Sequence, residues 1–260
     1  MRGYEKTSVF ANVCSRDFAG EIKSAGDTVK IPRIGPVQIK DYPRNGPISY
    51  DLVDGSTLDI TLDQEKYFAI RADDVDVVQS RPAFLDGATK NAAYALRDTI
   101  DTYTAGILTA GAATKLFESG SPYNGGGDMI DLFTELACVL DELNVPRGDR
   151  WAAVPPFIVK AITKTVIDDS TSNETALSEA FITRIAGFNI YMSNNLIGDT
   201  DATKVVAGVR PAATHIVQIS KVETLRDKDS FSDLVRGLAV FTTALLLPEG
   251  LITARVRKPA

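Results

Sequence analysis

The sequence has little of the residue types that usually carry catalysis or metal binding. Its 260 residues include two cysteines and one histidine. Cys14 and Cys138 are too few and too isolated for a disulfide framework or a zinc site. The single histidine, His215, lies between apolar neighbours and cannot be matched to a nucleophile. Neither a G-x-S-x-G nor an H-E-x-x-H motif is present, so we expect no enzyme, no metal and no cofactor.

Long apolar runs and an excess of positive charge are also missing. No run reaches the ~18 residues that a membrane helix needs, and the first residues do not resemble a signal peptide. We therefore expect a protein that is made in the cytoplasm and has no membrane partner. The net charge of −6 argues against a classical DNA-binding domain, although a shell around nucleic acid could still carry local basic faces.

What the sequence does have is a long stretch with strand periodicity, from Gly26 to about Gln79. Apolar and polar residues alternate there with a period of two, which is typical of strands with one apolar face. The apolar positions are Val29, Ile31, Val37 and Ile39 on the outward arm, and Leu58, Ile60 and Leu62 on the return arm. Prolines and glycines between the arms argue against an ordinary central strand. The pattern predicts a long two-stranded arm with an irregular tip.

The two sides of this predicted arm differ in charge. Five cations and two acids lie between Lys23 and Arg44, whereas every charge between Asp51 and Glu65 is acidic. The candidate contact residues are Lys30, Arg33, Lys40, Arg44, Asp51, Asp54, Asp59, Asp63 and Glu65. The two sides could pair within one hairpin or between neighbouring copies. An isolated hairpin is marginal in water, so we expect the apolar return arm to be covered partly by a neighbouring copy.

A long helix and a second lobe follow the arm. Leucine, isoleucine and alanine recur at spacings of three and four from Pro82 to Ala110, which predicts a helix of roughly 28 residues and about 40 Å. The glycine-rich stretch 118–127 is a predicted lobe boundary. Residues 128–218 alternate between helix and strand patterns, which is typical of an α/β lobe.

Several local features of this second half are also predicted. Cys138 falls on the apolar side of a helical pattern that begins at Asp128, which predicts a buried thiol. Helices are expected over 176–185 and over 211–218, the latter carrying His215. The strands of the tail, up to residue 258, are expected to return to the first lobe and join the long helix there.

The order of these parts resembles the major capsid proteins of tailed bacteriophages, which have the Hong Kong ninety-seven-like fold. The matching segments are N-V-C-S-R-D-F-A-G-E-I-K-S-A-G-D-T-V-K-I-P, T-L-D-I-T-L-D-Q-E-K-Y-F-A-I-R-A-D-D-V-D, W-A-A-V-P-P-F, G-F-N-I-Y-M-S-N-N-L and V-E-T-L-R-D-K-D-S-F-S-D-L-V-R-G-L. The resemblance implies an α+β fold with an extended loop, a long spine helix, a peripheral domain and an axial domain. The implied boundaries are 1–25 for an N-terminal segment, 26–66 for the extended loop, 67–120 with 219–260 for the peripheral domain, and 121–218 for the axial domain.

The resemblance also implies a function. Such proteins self-assemble as pentamers and hexamers into an icosahedral virion shell that encloses double-stranded DNA through weak non-specific contacts. Assembly in the host cytoplasm, with scaffolding, portal and decoration proteins as further partners, is implied as well. About 25 residues precede the loop, whereas family members usually carry a longer arm there, so either the arm is short or the sequence begins after a cleavage or an alternative start. Two alternatives stay open, namely an encapsulin-like protein compartment and a monomeric α/β enzyme.

Overall fold

The computed structural model describes residues 9–16, 28–34, 39–42, 50, 55–73, 83–118, 123, 128–169, 184–228 and 230–258. Within these residues the strands form three sheets: a ribbon of two strands, a sheet of three and a sheet of six. The structure is of the mixed α+β class that the sequence predicts.

The ribbon is the base of the predicted arm. Strand β1 (Thr28–Ile34) pairs antiparallel with β2 (Gly55–Thr61), with Ile31 opposite Leu58. Pro32 lies within β1, where it is tolerated because each strand of a two-stranded ribbon has an open edge. The strand alternation predicted further out does not persist, since Ile39 lies outside any strand; Val37 lies outside the described residues.

The sheet of three strands lies beside the long helix. Strand β10 (Ser232–Leu245) runs between β3 (Gln64–Asp73) and β9 (Ala213–Arg226), and both pairings are antiparallel. Helix α2 (Ala83–Gly111) packs against β3 and β10. The prediction of this helix is confirmed to within a residue at its C-terminal end.

The sheet of six strands forms the second lobe, in the order β4-β11-β8-β5-β7-β6. Its strands are β4 (Thr114–Leu116), β5 (Arg150–Val154), β6 (Arg184–Ile185), β7 (Phe188–Met192), β8 (Ala202–Val209) and β11 (Leu251–Arg257). Helices α3 (Asp128–Glu142) and α4 (Pro156–Asp169) cover one face. Leu132, Phe133, Leu136 and Leu140 of α3 are fully buried against that face, which follows from their spacing of three and four residues.

A second core joins the lobes. The short helix α1 (Phe10–Val13) inserts Phe10 and Val13, followed by Cys14, between α2 and the six-stranded sheet. The main chain of Ser15 then bonds to β9 on both sides of Thr214, donating to the Ala213 carbonyl and accepting from the His215 N–H, each at 2.9 Å. The N-terminal segment is thereby fixed at the junction of the two lobes.

Two predictions of local structure are wrong. Residues 211–218 do not form a helix, because a 3-10 turn (Arg210–Ala212) leads directly into β9. Pairing with β10 supplies partners for the main chain of β9 and buries the β-branched side chains of Thr214 and Ile216, which outweighs the local helical preference. The helix over 176–185 is contradicted at its end, where Arg184–Ile185 is β6; residues 176–183 lie outside the described part.

The predicted destination of the last strand is also wrong. Strand β11 does not return to the sheet beside the long helix but pairs with β8 and β4 in the other lobe. Leu251, Ile252, Thr253 and Ala254 are all fully buried. A strand that is buried on both faces belongs in the interior of a covered sheet, and the sheet of three strands has one open face.

Cys138 differs from its prediction too, since its side chain is exposed. The buried stripe of α3 contains Leu136 and Leu140. Position 138 is two residues from each, and residues two apart on a helix face in nearly opposite directions.

Candidate inter-subunit surfaces

The apolar face of the arm's base is covered by the chain itself. Ile31, Ile60 and Leu62 are buried and pack with Ile216 of β9 and Val240 of β10. The expectation that a neighbouring copy covers part of this face is therefore wrong for Ile60 and Leu62. Only Leu58 in this set keeps partial exposure. The base of the arm belongs to the body of the subunit.

Two of the predicted contact residues are in register across the ribbon. Lys30 of β1 lies directly opposite Asp59 of β2, and both side chains are exposed. Opposite charges in facing positions of an antiparallel pair attract one another weakly at a surface. Part of the charge asymmetry of the arm is thus balanced inside one chain.

Asp63 has partners within its own chain. Its carboxylate accepts a hydrogen bond from the Tyr103 hydroxyl of α2, at 3.0 and 3.1 Å to its two oxygens, and another from the Thr242 hydroxyl of β10 at 3.2 Å. Burial and the bond to Asp63 raise the pKa of Tyr103, so the hydroxyl stays a donor at neutral pH. Asp63 ties the end of the arm to both the long helix and the central strand.

The other predicted contact residues are dispersed. Lys40 is exposed beyond β1, and Glu65 is exposed on β3. Arg33 lies on β1 opposite Ser56. Arg44, Asp51 and Asp54 lie outside the described residues. The structure therefore does not gather the six residues that it describes into one site.

The outer arm carries large, exposed apolar side chains that the charge pattern of the sequence does not reveal. Ile39, Tyr42 and Tyr50 are 98%, 77% and 91% exposed. Tyrosine is enriched at protein interfaces because it combines a large apolar ring with a polar end. The signal in the sequence was two tyrosines within a proline-rich, charged stretch.

His215 and Cys14 are buried in the core. The Nδ1 atom of His215 lies 3.0 Å from the Thr243 hydroxyl and 3.3 Å from that of Thr104, which links β9, β10 and α2. Burial, with a smaller effect of Arg16, lowers the pKa of His215 to about 4. Burial and the nearby Asp101 raise the pKa of the Cys14 thiol to about 12. At neutral pH both groups are uncharged parts of the core.

A cleft of about 670 Å³ lies beside the C-terminal half of α3, with Cys138, Arg147 and Arg150 among its lining residues. Both arginines donate to Asp141, with Nη2 distances of 2.6 Å from Arg147 and 2.7 Å from Arg150, and they hold the pKa of that carboxyl below its usual value. Arg150 also donates to the carbonyls of Pro146 and Val145. Its charge is thus used to fix the turn after α3.

The described residues show neither a metal-binding cluster nor a membrane-spanning helix. Histidine, cysteine and carboxylate side chains do not come together there in groups of three that could hold a metal ion. Among the helices of this part of the chain, none combines the length and the apolar character required to cross a bilayer.

Exposed aromatic residues lie on the outer face of the three-stranded sheet and at one of its ends. Tyr67 on β3 is 78% exposed, and Phe231, in the turn between β9 and β10, is 81% exposed. Leu225 and Leu238 are also exposed on this side of the sheet. A sheet face of this kind is typical of a surface that contacts another protein.

Comparison with solved structures decides the family. A phage capsid structure from Mycobacterium phage Che8 superposes with a TM-score of 0.81 and 30% sequence identity, covering 98% of this chain and 93% of that one. The chain belongs to the major capsid proteins of tailed bacteriophages. This capsid protein is a structural component of a multimeric virion shell. Its fold is the Hong Kong ninety-seven-like fold that the sequence predicted.

More distant capsids share the same fold. The capsid of cyanophage P-SCSP1u has a TM-score of 0.76 at 16% identity, and the mature capsid of bacteriophage PhiM1 has a TM-score of 0.69 at 16% identity. Each comparison covers 98% of the capsid protein and 89% of the other chain. None of these three structures is described as an encapsulin compartment, so that alternative is not favoured. No family model matches the sequence, and no curated protein does.

Proposed function

We propose that this capsid protein self-assembles, without enzymatic activity, into a closed icosahedral shell of pentamers and hexamers, and that the outer part of its arm is an inter-subunit contact. The observation that carries the proposal is the contrast between the two ends of the arm. The base is buried on its own chain through Ile60 and Leu62, whereas Tyr42 and Tyr50 are almost fully exposed. An anchored base with an exposed apolar end fits a segment that docks on another copy.

The charges of the arm support the same proposal. Each exposed pair contributes little, about 0–1 kcal/mol. In a closed shell the same pair recurs at every subunit, so many weak contacts act together. We therefore propose that the charged residues of the arm contact a neighbouring subunit. They are Lys30, Arg33, Lys40, Arg44, Asp51, Asp54, Asp59 and Glu65. Asp63 is proposed to act by positioning the arm, since its partners Tyr103 and Thr242 lie on its own chain.

The proposed contents of the shell are double-stranded DNA, held by weak, non-specific contacts. The overall charge of −6 opposes such contacts, so they must come from local basic surface. One candidate is the end of β11, where Arg257 and Lys258 are exposed; the nearby Lys204 and Arg255 are paired with Glu118 and Asp199. Assembly in the host cytoplasm and binding of scaffolding, portal and decoration proteins extend the proposal.

Purified protein tests the assembly. We expect size-exclusion chromatography and negative-stain microscopy to show closed particles, and the double variant Tyr42→Ala/Tyr50→Ala to remain largely unassembled with an unchanged melting temperature. Leu143→Ala is the matched control, because Leu143 is an exposed apolar residue at the end of α3, in the other lobe. A protein that stays at 28 kDa at every concentration would contradict shell formation. Normal assembly of the double variant would contradict the role of the arm.

A further inference from the structure

The outer face of the three-stranded sheet contains a cavity. Tyr67 of β3 lies opposite Leu238 of β10, and Ala69 lies opposite Arg236. Because side chains alternate along strands, these residues share one face. Together with Glu223 and Gly237 they line a cavity of about 540 Å³. The cavity therefore has an apolar side, formed by Tyr67 and Leu238, and a polar side.

The polar side of the cavity is held in place by an ion pair. Arg236 donates to Glu223 through Nε at 3.0 Å and through Nη2 at 2.7 Å. A two-donor contact of this kind fixes the arginine in one orientation. The opposite side, with Tyr67 78% exposed, is open to a partner. The shape of the cavity is thus largely set before anything binds.

The turn between β9 and β10 presents Phe231 in a fixed position. The Asp227 N–H donates to the Ser232 carbonyl at 3.0 Å, and the Ser230 hydroxyl donates to the Asp227 carboxylate at 2.6 Å. Arg71 of β3 donates to the Ser232 hydroxyl at 3.1 Å. These bonds tie the described residues around Phe231 to one another and to β3, while the Phe231 ring stays 81% exposed. An exposed aromatic side chain on an ordered turn loses little conformational entropy when it binds.

We propose that Phe231 of one copy inserts into the cavity beside Tyr67 and Leu238 of a second copy. The chain's own Phe231 cannot fill this cavity, because seven residues of extended chain separate it from Leu238, a distance of roughly 24 Å. Every copy therefore carries both an aromatic knob and a preformed cavity on the same sheet. The proposal rests on the assembly proposed above, since it requires a second copy in a shell.

Charge complementarity supports a second copy as the occupant. Lys228 is exposed in the same turn as Phe231, and Glu65 is exposed on the face of β3 that carries Tyr67. A docked turn would bring this cation towards that carboxylate. The contact is heterologous, because the knob and the cavity are different surfaces, and heterologous contacts generate rings when the rotation between copies closes. Such a contact suits a shell in which several subunits meet around an axis.

Disulfide trapping tests the contact directly. The background carries Cys138→Ser, which removes the exposed thiol and leaves the buried Cys14. Chains with Phe231→Cys and chains with Leu238→Cys are assembled separately and as a mixture, then oxidised and run on a non-reducing gel. We expect covalent dimers from the mixture and none from either variant alone, because a disulfide requires Cα atoms within about 7 Å. Dimers from Phe231→Cys alone would indicate that the Phe231 turns of two copies contact each other, and would overturn the proposal.

A second measurement uses substitutions that remove the knob. We expect Phe231→Ala to raise the critical concentration for assembly at least tenfold and Phe231→Leu to raise it less, with unchanged melting temperatures because Phe231 is exposed. Leu143→Ala is again the control and should leave the critical concentration unchanged. Shells that form normally with Phe231→Ala, or shells of the mixture that give no dimers, would overturn this inference alone. Absence of shells from the unmodified chain would overturn the proposed function and this inference with it.

Discussion

Charge reversal at Asp59 and at Asp63 should have different consequences, although the two residues lie four apart on the same stretch of chain. Asp59 is exposed on β2 and faces Lys30 across the ribbon. Asp63 accepts hydrogen bonds from Tyr103 and Thr242. Asp59→Lys should therefore impair assembly with little effect on folding, whereas Asp63→Lys should reduce the stability of the subunit itself.

The magnitudes follow from these surroundings. A hydrogen bond to a charged acceptor contributes about 1.5–3 kcal/mol, and two such bonds that are partly open to water should contribute about 2–3 kcal/mol together. For a chain of this size we expect Asp63→Lys to lower the melting temperature by roughly 5–10 °C. Asp59→Lys replaces a weak surface pair by two facing lysines, which should cost less than about 1 kcal/mol.

The assay compares the two variants below the concentration at which they assemble. Thermal unfolding followed by circular dichroism reports the subunit, and light scattering at higher concentration reports assembly. Tyr103→Phe is the matched control, since it removes the hydroxyl but keeps the ring that packs edge-on against Phe241; combined with Asp63→Ala it should show a coupling of about 1 kcal/mol. Equal melting temperatures for the two lysine variants would refute the anchoring role of Asp63. Normal assembly of Asp59→Lys would refute the charge argument for the arm.

Three further predictions concern the stability of the subunit. The folded-state pKa of His215, about 4, lies below its ordinary value of 6.5. The free energy of unfolding should therefore have its full value above about pH 6.5. It should fall by up to about 3 kcal/mol as the pH drops towards 4. Urea titrations across this range should show a smaller fall for His215→Gln. Arg150 is 2% exposed, whereas the Arg147 side chain is 82% exposed, so Arg150→Met should cost about 3 kcal/mol and Arg147→Met far less in the same titrations. A Cβ at Gly208 would lie 2.5 Å from a backbone oxygen, whereas at Gly148 it would meet nothing within 4 Å. Calorimetry should therefore show a loss of about 1–3 kcal/mol for Gly208→Ala and almost none for Gly148→Ala.

Local periodicity accounts for the parts of the fold that the sequence could predict. The helix from Ala83 to Gly111 repeats its apolar residues every three or four positions, and this pattern depends only on neighbouring residues. The choice of partner for a strand depends on distant residues. Strand β11 pairs with β8, whose residues lie more than forty positions earlier. The segment that contains His215 could not be predicted for the same reason, because its pairing with β10 outweighs the local preference for a helix.

The contact surface was predictable only in part, for a related reason. Charge is visible in a sequence, so Lys30 and Asp59 could be assigned to opposite sides of the arm. The role of Asp63 depends on Tyr103 and Thr242, which lie 40 and 179 positions away. Residue type alone marks Phe231 as apolar, whereas in the folded chain its ring is exposed to solvent. Exposure is a property of the folded chain and cannot be read from residue type.

The place of β11 in its sheet has a consequence for biosynthesis. β11 lies between β4 and β8, yet its residues, Leu251–Arg257, leave the ribosome after those of every other strand in that sheet. While the chain is being translated, β8 exposes one unpaired edge and β4 has no partner among these strands. Pairing of β11 completes this sheet, because β11 gives β4 its partner and covers the open edge of β8.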